Sequence, residues 1–443
     1  MIEIRAVGGY SEIGRNMTAV KVGDEVVIFD MGLDVGRYSQ ITEDEDFVKI
    51  STAQLVAGGA LPDLKQIKDW LPMVKAIVPT HAHLDHVGGI PYLAQKIKAP
   101  INCSPFTAEV VKELFRDKRT THHNKVIPIN PNSKHKFSDN LTLELIHITH
   151  STLQATIAAL HTPDGVIIYA NDFKFDNYPM LGKKPNLARL AQLGDSGKVI
   201  CLITESTYAG VEGKTPSESV AQQMLKDIMV GSDLKGAMLV TTFSSHIARL
   251  KAIADFSHKI KRKPIFLGRS FSKYIKAAEK LDLVNISKNA EVISYRRQIN
   301  SRLTKLKNNL EKYVLVVTGN QGEPRATLSR MARGETPIEL SSEDTVIFSC
   351  RTIPSPNNIK LRGELEKMLS AKDVRMYMDV HVSGHASRED LRDLINLTKP
   401  LHLVPSHGTH DMKTAFKDLG QKKGYEDSKI HILENGKLLM LNI

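Results

Sequence analysis

The chain has 443 residues, 41% hydrophobic and 25% charged, with a formal charge of +11 at pH 7. A single core stops growing at roughly 250 to 300 residues, so at least two domains are expected, and the chain carries no run approaching the roughly 18 apolar residues that span a bilayer. The positive charge suits a polyanionic partner such as nucleic acid, because neutralised phosphates release counterions; a solvated basic surface gives the same number.

Residues Met1 to Gly9 read straight into a strand and lack the charged head and apolar stretch of a secretory signal, which leads us to expect a cytoplasmic protein. Cys103, Cys201 and Cys350 are odd in number, far apart and outside any C-x-x-C pattern. That usage fits a reducing compartment and leaves His and carboxylates to hold any metal.

Along the chain one unit recurs, a short apolar run ending in a small polar cluster. It occurs at 74–79 before Thr80-His81, 166–170 before Asn171-Asp172, 199–204 before Glu205, and 237–242 before Phe243-Ser244-Ser245-His246. Three more follow: 313–318 before Gly319-Asn320-Gln321-Gly322, 374–382 before Ser383-Gly384-His385, and 401–405 before Ser406-His407. Val- and Ile-rich runs bounded by Gly, Pro or Ser predict buried strands, and loops beyond strand ends are where α/β proteins keep their ligands. Helical stretches at 105–116, 217–229 and 387–396 make the class α/β. From about residue 209 to 375 basic residues cluster, as in Lys259-Ile260-Lys261-Arg262-Lys263 and in Arg296, Arg297, Arg302, Lys305 and Lys307. Each run alone reads as a solvated face, and the pair beside a phosphate-cutting site reads as a wall that tracks substrate.

The strongest local signal is His81-Ala82-His83-Leu84-Asp85-His86, placed between a strand and a helix start. Imidazoles and carboxylates packed this densely are costly to bury unless they are paired or metal-bound. Alternating His81 and His83 can hold one ion while Asp85 and His86 face a second. A full site needs further ligands from later strand ends, and the sequence offers His150, Asp172 and His407.

These residues resemble the metallo-β-lactamase superfamily, whose H-x-H-x-D-H signature is matched at 81–86. Further segments narrow the resemblance to the β-CASP group and, within it, to the ribonuclease J family of the short archaeal type. They are Gly8-Gly9-Tyr10-Ser11-Glu12-Ile13-Gly14-Arg15-Asn16-Met17, Asp172-Phe173-Lys174-Phe175-Asp176, Thr204-Glu205-Ser206-Thr207, Gly319-Asn320-Gln321-Gly322-Glu323-Pro324, Val382-Ser383-Gly384-His385 and Pro405-Ser406-His407-Gly408. The resemblance implies a metallo-β-lactamase αββα sandwich formed by residues 1–208 and 376–443, interrupted by an α/β β-CASP insert at 209–375.

It further implies two Zn²⁺ per chain, with Mn²⁺ as an alternative. His81, His83 and His150 would hold the first ion, Asp85, His86 and His407 the second, and Asp172 would bridge them. Asp85, Glu205 and His385 would be catalytic, Glu205 and His385 as an acid-handling pair; a plain structural hydrogen bond is the other reading of that pair. Ser383, Gly384, His385 and Ala386 match a loop that grips phosphate. Gly319, Asn320, Gln321 and Gly322 are added as a Gly-rich phosphate turn, with His246 and Ser349 as further candidate contacts.

The implied activity is 5′-to-3′ degradation of 5′-monophosphorylated single-stranded RNA by a homodimer, with internal cleavage as a second mode. The competing readings are an internally cutting nuclease of the messenger-RNA 3′-end processing type, a small-ester hydrolase, and a non-catalytic RNA-binding scaffold. Small-ester hydrolases lack the basic insert, and a scaffold has no reason to keep so many costly ligands. Two departures from the family pattern stand out: Asn171 where Gly is common before the bridging Asp, and Ser151-Thr152-Leu153-Gln154-Ala155 after the third metal histidine. The segment 36–70, with its acidic run Glu43-Asp44-Glu45-Asp46, reads as an insertion serving subunit contact or as a surface loop.

Overall fold

The computed structural model describes residues 1–43, 50–118, 122–232 and 234–441, so most of the acidic run Glu43-Asp44-Glu45-Asp46 lies outside the described residues. Within 36–70 it forms the helices Val35–Glu43 and Thr52–Ala57 and the start of a 3-10 segment, Leu64–Met73. Among the described residues no helix is long and apolar enough to cross a membrane.

The chain divides into two compact units, one of Met1–Asn177, Gly182–Thr215 and Ser383–Ile443, the other of Tyr178–Leu181 and Pro216–Val382. The first is built on two sheets. The seven-stranded sheet runs in the order Leu438–Leu441, Ile2–Gly8, Met17–Val22, Glu25–Phe29, Val74–Val78, Ile101–Cys103, Val126–Pro128. The six-stranded sheet runs His402–Ser406, Val199–Glu205, Gly165–Ala170, Thr156–Thr162, Thr142–His147, Ser133–Lys136. Alternation along the strands turns Ile4, Val20, Val27, Phe29 and Val78 toward Leu143, Leu145, Leu160, Ile167, Tyr169 and Ile203, which form one buried cluster. On the other face of the six-stranded sheet, Ile168, Leu202 and Leu403 pack against Leu190, Leu391, Leu394, Phe416 and Leu419 from helices Leu187–Asp195, Arg388–Thr398 and His410–Lys422.

The strands Gly165–Ala170, Val199–Glu205 and His402–Ser406 are parallel neighbours, so their C-terminal ends point the same way. Asp172, Glu205 and His407 thereby come to one edge although they are far apart in sequence.

The second unit is a six-stranded, wholly parallel sheet ordered Glu291–Ile293, Lys263–Leu267, Tyr313–Val317, Met238–Thr241, Thr345–Phe348, Arg375–Tyr377. Residues 374–382 were expected as one strand, but pairing stops at Tyr377 and Asp379 takes a left-handed φ of 52°. The units also separate after Thr215 and Val382 rather than after 208 and 375. Thr215 donates its amide to Asp390 and its hydroxyl to the His385 carbonyl, and Arg388 reaches the Ala209 carbonyl, so 209–215 stays with the first unit. Arg375–Tyr377 pairs with Thr345–Phe348, which keeps the next residues with the second.

The basic runs are partly committed to structure. Arg302 forms a bidentate pair with Glu291 at 2.7 Å on both arms, Lys263 joins it at 2.7 Å, and Arg262 binds the carbonyls of Leu234 and Gly236. Deeper in the same unit, Arg249 is fully buried and grips Glu218 at 2.6 and 2.8 Å while bonding Ser349 and the Val380 carbonyl.

Two outcomes follow. Arg249→Met strips the guanidinium from buried Glu218 and is expected to cost about 3–5 kcal/mol, read as a lower denaturant midpoint for the second unit. Glu144, although burial opposes its charge, is brought down to about 2 by His161, Arg189 and Lys134. Because its folded pKa is depressed, its stabilisation is present above the ordinary carboxylate range and disappears as pH falls through about 2. Glu144→Gln should therefore lower stability at pH 7 by about 1–2 kcal/mol after solvent screening, with the two unfolding curves converging in acid.

Candidate metal centre

The 81–86 segment leaves the strand Val74–Val78 and turns into the short helix Leu84–Val87. Three backbone bonds hold that turn: Asn16 N–H to the Asp85 carbonyl at 2.9 Å, Met31 N–H to His86 at 2.8 Å and Leu33 N–H to Leu84 at 3.0 Å. Gly32 permits this approach, since a Cβ there would lie 1.7 Å from the Asp85 oxygen. Asp30, wholly buried beneath, accepts from the Thr80 amide at 2.8 Å, the Thr80 hydroxyl at 3.0 Å, His86 Nδ1 at 2.7 Å and the Tyr169 hydroxyl at 3.0 Å.

Around this turn the expected ligands converge in two sets that share one residue: His81, His83, His150 and Asp172, and Asp85, His86, Asp172 and His407. In the first, His83 Nδ1 lies 3.2 Å from His81 Nε2 and 3.0 Å from His150 Nε2, and Asp172 Oδ2 lies 3.5 Å from His81 and 3.7 Å from His150. In the second, His86 Nε2 is 3.2 Å from Asp172 Oδ2 and 3.5 Å from Asp85 Oδ2, while His407 Nε2 is 3.4 Å from Asp172 Oδ1 and 3.7 Å from Asp85. An ion bonded at about 2.0–2.1 Å to tetrahedral ligands separates them by about 3.3 Å, so these spacings suit a metal better than direct contact.

Both Asp172 carboxylate oxygens and His407 Nε2 are buried without a hydrogen-bond partner. Unpartnered polar atoms in a dry interior are expensive, and a cation satisfies all of them at once. Asp30, Asp172 and His407 also hold left-handed φ values of 56°, 54° and 48°, backbone strain concentrated at the centre.

Most of the imidazoles turn their other nitrogen to an acceptor: His81 Nδ1 to the Thr80 hydroxyl, His86 Nδ1 to Asp30, His150 Nδ1 to the Gly384 carbonyl at 2.7 Å and His407 Nδ1 to Asn16 Oδ1 at 2.8 Å. That leaves Nε2 as the ligating atom. Burial pushes His81, His83 and His150 down, His83 to about 4, so they are neutral donors. Burial opposes the charge of Asp172, but His407 and His86 hold its carboxyl well below the usual range.

Glu205, fully buried, braces the same sheet edge. One oxygen accepts from Phe173 N–H at 2.9 Å and Ala386 N–H at 3.2 Å, and the other meets His385 Nδ1 at 2.7 Å. Burial disfavours charge on His385, but Glu205 and Asp172 outweigh it and raise the imidazole to about 9. The His385 ring stacks on His407 at 5.7 Å and meets the Tyr208 ring edge-on at 5.9 Å.

The phosphate-loop expectation needs revision. Ala386 is buried with its amide bound to Glu205, and the His385 amide is bound to Ser383 Oγ at 3.0 Å. Gly384 orients His150, and a Cβ on it would stand 3.0 Å from that ring and 2.7 Å from Ser151 Oγ. The remaining candidates belong to the second unit. Ser349 is buried with its hydroxyl between Arg249 and the Val380 carbonyl, and His246 caps the helix Ile247–Lys259. In the turn 319–322, Gly319 and Gly322 have φ of 115° and 82°, Asn320 accepts from Arg362 at 2.7 Å, and Gln321 bonds both the Arg351 carbonyl and the Ile353 amide.

Asn16, Asp30 and Gly32 were missed, although Asp30 follows an apolar run by the same rule that found Glu205. The two departures have local reasons. Asn171 donates to the Tyr169 hydroxyl and accepts from Ser406, tying the ends of the two strands that flank Val199–Glu205, and Gln154 accepts from the Phe106 amide at the start of helix Pro105–Lys118.

Family comparison agrees with this geometry. Residues 11–175 match the metallo-beta-lactamase superfamily, 235–367 the "Ribonuclease J, beta-CASP domain", and 373–433 the "Zn-dependent metallo-hydrolase RNA specificity domain". The chain is 41% identical to ribonuclease J of Methanocaldococcus jannaschii over 99% of its own length and 98% of that protein. It is also 41% identical to ribonuclease J of Pyrococcus abyssi, over 99% and 97%. The Synechocystis ribonuclease J is 31% identical over 99% of this chain and 66% of its own. A crystal structure of a protein of unknown function from Enterococcus faecalis superposes over 99% of this chain and 100% of its own with a TM-score of 0.65 at 19% identity, a likeness of fold. With a metallo-β-lactamase domain, a β-CASP insert and whole-length identity to archaeal relatives, the chain belongs to the ribonuclease J family.

Proposed function

We propose that this chain hydrolyses RNA phosphodiester bonds at a centre of two zinc ions, with manganese as a substitute, and that it degrades 5′-monophosphorylated single-stranded RNA from the 5′ end. The observation that carries the reading is Asp172, whose buried carboxylate is common to both ligand sets and to the Glu205–His385 pair. Bound there, a pair of divalent ions supplies a nucleophile at neutral pH and neutralises charge on the attacked phosphate.

The remaining steps belong to the side chains. His81, His83 and His150 would hold one ion, Asp85, His86 and His407 the other, with Asp172 shared between the two sets. Asp85 is the most exposed carboxylate of the set, at 24%, and orients the attacking oxygen. His385, kept protonated by Glu205, donates to the leaving oxygen. Ser383, whose hydroxyl hydrogen can still reach outward, is the phosphate contact we retain from the 383–386 loop. The Gly-rich turn 319–322 is proposed as a further phosphate contact, because its two left-handed glycines let backbone approach an anion closely. We place the protein in the cytoplasm as a homodimer, on the family resemblance.

The test uses RNAs bearing a 5′ monophosphate, triphosphate or hydroxyl, digested with zinc or manganese present. The wild type should release mononucleotides from the monophosphorylated RNA, His81→Ala should release none, and His385→Ala should be slower by about 10²–10⁴-fold. Internal fragments from 5′-hydroxyl RNA would assign the cutting mode to endonuclease, and absence of any cleavage by metal-loaded wild type would sink the reading. Separately, Gly384→Ala should weaken zinc binding at the His81 set by about 10–100-fold through displacement of His150, measured by competition with a chelator, with little change in melting temperature.

A further inference from the structure

Asn16 is 1% exposed and touches three of the four residues of the second ligand set, Asp85, His86 and His407. Its Oδ1 accepts from His407 Nδ1 at 2.8 Å, its Nδ2 donates to the Asp85 carbonyl at 3.1 Å, and the same Nδ2 lies 3.1 Å from His86 Nε2. Its backbone repeats the grip, with Asn16 N–H on the Asp85 carbonyl at 2.9 Å and the Asn16 carbonyl accepting from Gly32 N–H at 2.8 Å. The amide has one orientation available: the Asp85 carbonyl only accepts, so Nδ2 must face it and Oδ1 must face His407. An oxygen at that place selects the His407 tautomer with its proton on Nδ1, which leaves Nε2 as a lone pair pointing at Asp172 and Asp85.

The loop carrying Asn16 is built for this contact. Gly9, at φ +83°, accepts the His407 backbone N–H at 2.6 Å, and a Cβ on it would stand 2.3 Å from Asn16 Oδ1. Glu12 holds the loop closed, accepting from Gly9 N–H and Arg15 Nε at 3.1 Å each and from Asn435 Nδ2 at 2.8 and 3.0 Å. His407 is thus seized by both its backbone and its ring from a single loop more than 390 positions earlier in sequence.

We propose that Asn16 is the positioning residue of the second ligand set, setting the tautomer and place of His407 against the Asp85–His86 turn, so that metal occupancy at that set depends on it. The inference rests on the two-ion reading above. It gives Gly9 a purpose: the missing Cβ admits the Asn16 amide that aims a residue far later in the chain.

The test strips full-length protein with a chelator and titrates it with zinc against a chromophoric competitor. Wild type should take two ions per chain. Asn16→Leu should keep one at wild-type affinity and bind the other about 10–100-fold more weakly, while Asn16→Asp, which can still accept from His407 Nδ1, should bind it more tightly than Asn16→Leu. A purely structural role would lower melting temperature without separating the two affinities. Uptake of fewer than two ions by wild type overturns the two-ion reading and this inference with it. Two ions in wild type and unchanged affinities in Asn16→Leu overturn the inference alone. Should Asn16→Leu lose both ions through misfolding, the comparison passes to Asn16→Asp and Asn16→Ser, whose hydroxyl is too short to reach His407; equal second-ion affinities in those two overturn it.

Discussion

The Asp172 carboxylate is buried with neither oxygen hydrogen-bonded within the protein, ringed by His81, His86, His150 and His407. A bare carboxylate there is intolerable unless cations share it, and the surrounding architecture meets that demand. Three parallel strands bring Asp172, Glu205 and His407 to one edge, and the Asp30 hub clamps the 80–86 segment from below.

Precision comes from the layer behind the ligands. Thr80, Asp30, the Gly384 carbonyl and Asn16 each hold one imidazole by its far nitrogen, and glycine admits the Asp85 backbone at 32 and the His150 ring at 384 where a methyl group would collide. Glu205 binds Phe173 N–H, next to Asp172, and also His385. One carboxylate thereby links the Asp172 segment to the His385 ring, and a shift at either is felt by both.

The residues that converge at the centre were legible in the sequence for a physical reason. Polar residues that no core tolerates were placed directly after apolar runs, which marks strand ends, and the packed spacing of His81 to His86 has few other uses. What escaped were contacts made by backbone. Gly32 works through the space it leaves, and Asn16 lies in a loop where its burial is invisible to any periodicity. Ala386 and Ser349 were read as ligand contacts because nothing in the letters reveals that the Ala386 amide is bound to Glu205 or that the Ser349 hydroxyl is bound to Arg249. The unit boundary at 215 was missed because Thr215 is tied to 385–390 by hydrogen bonds, whereas the composition changes earlier.

The loop at 9–16 closes on His407 and Asn435, so the earliest part of the chain finishes its work with the latest. During synthesis a ribosome delivers residues in order, and the second ligand set stays open until His407 and the segment behind it have left the exit tunnel.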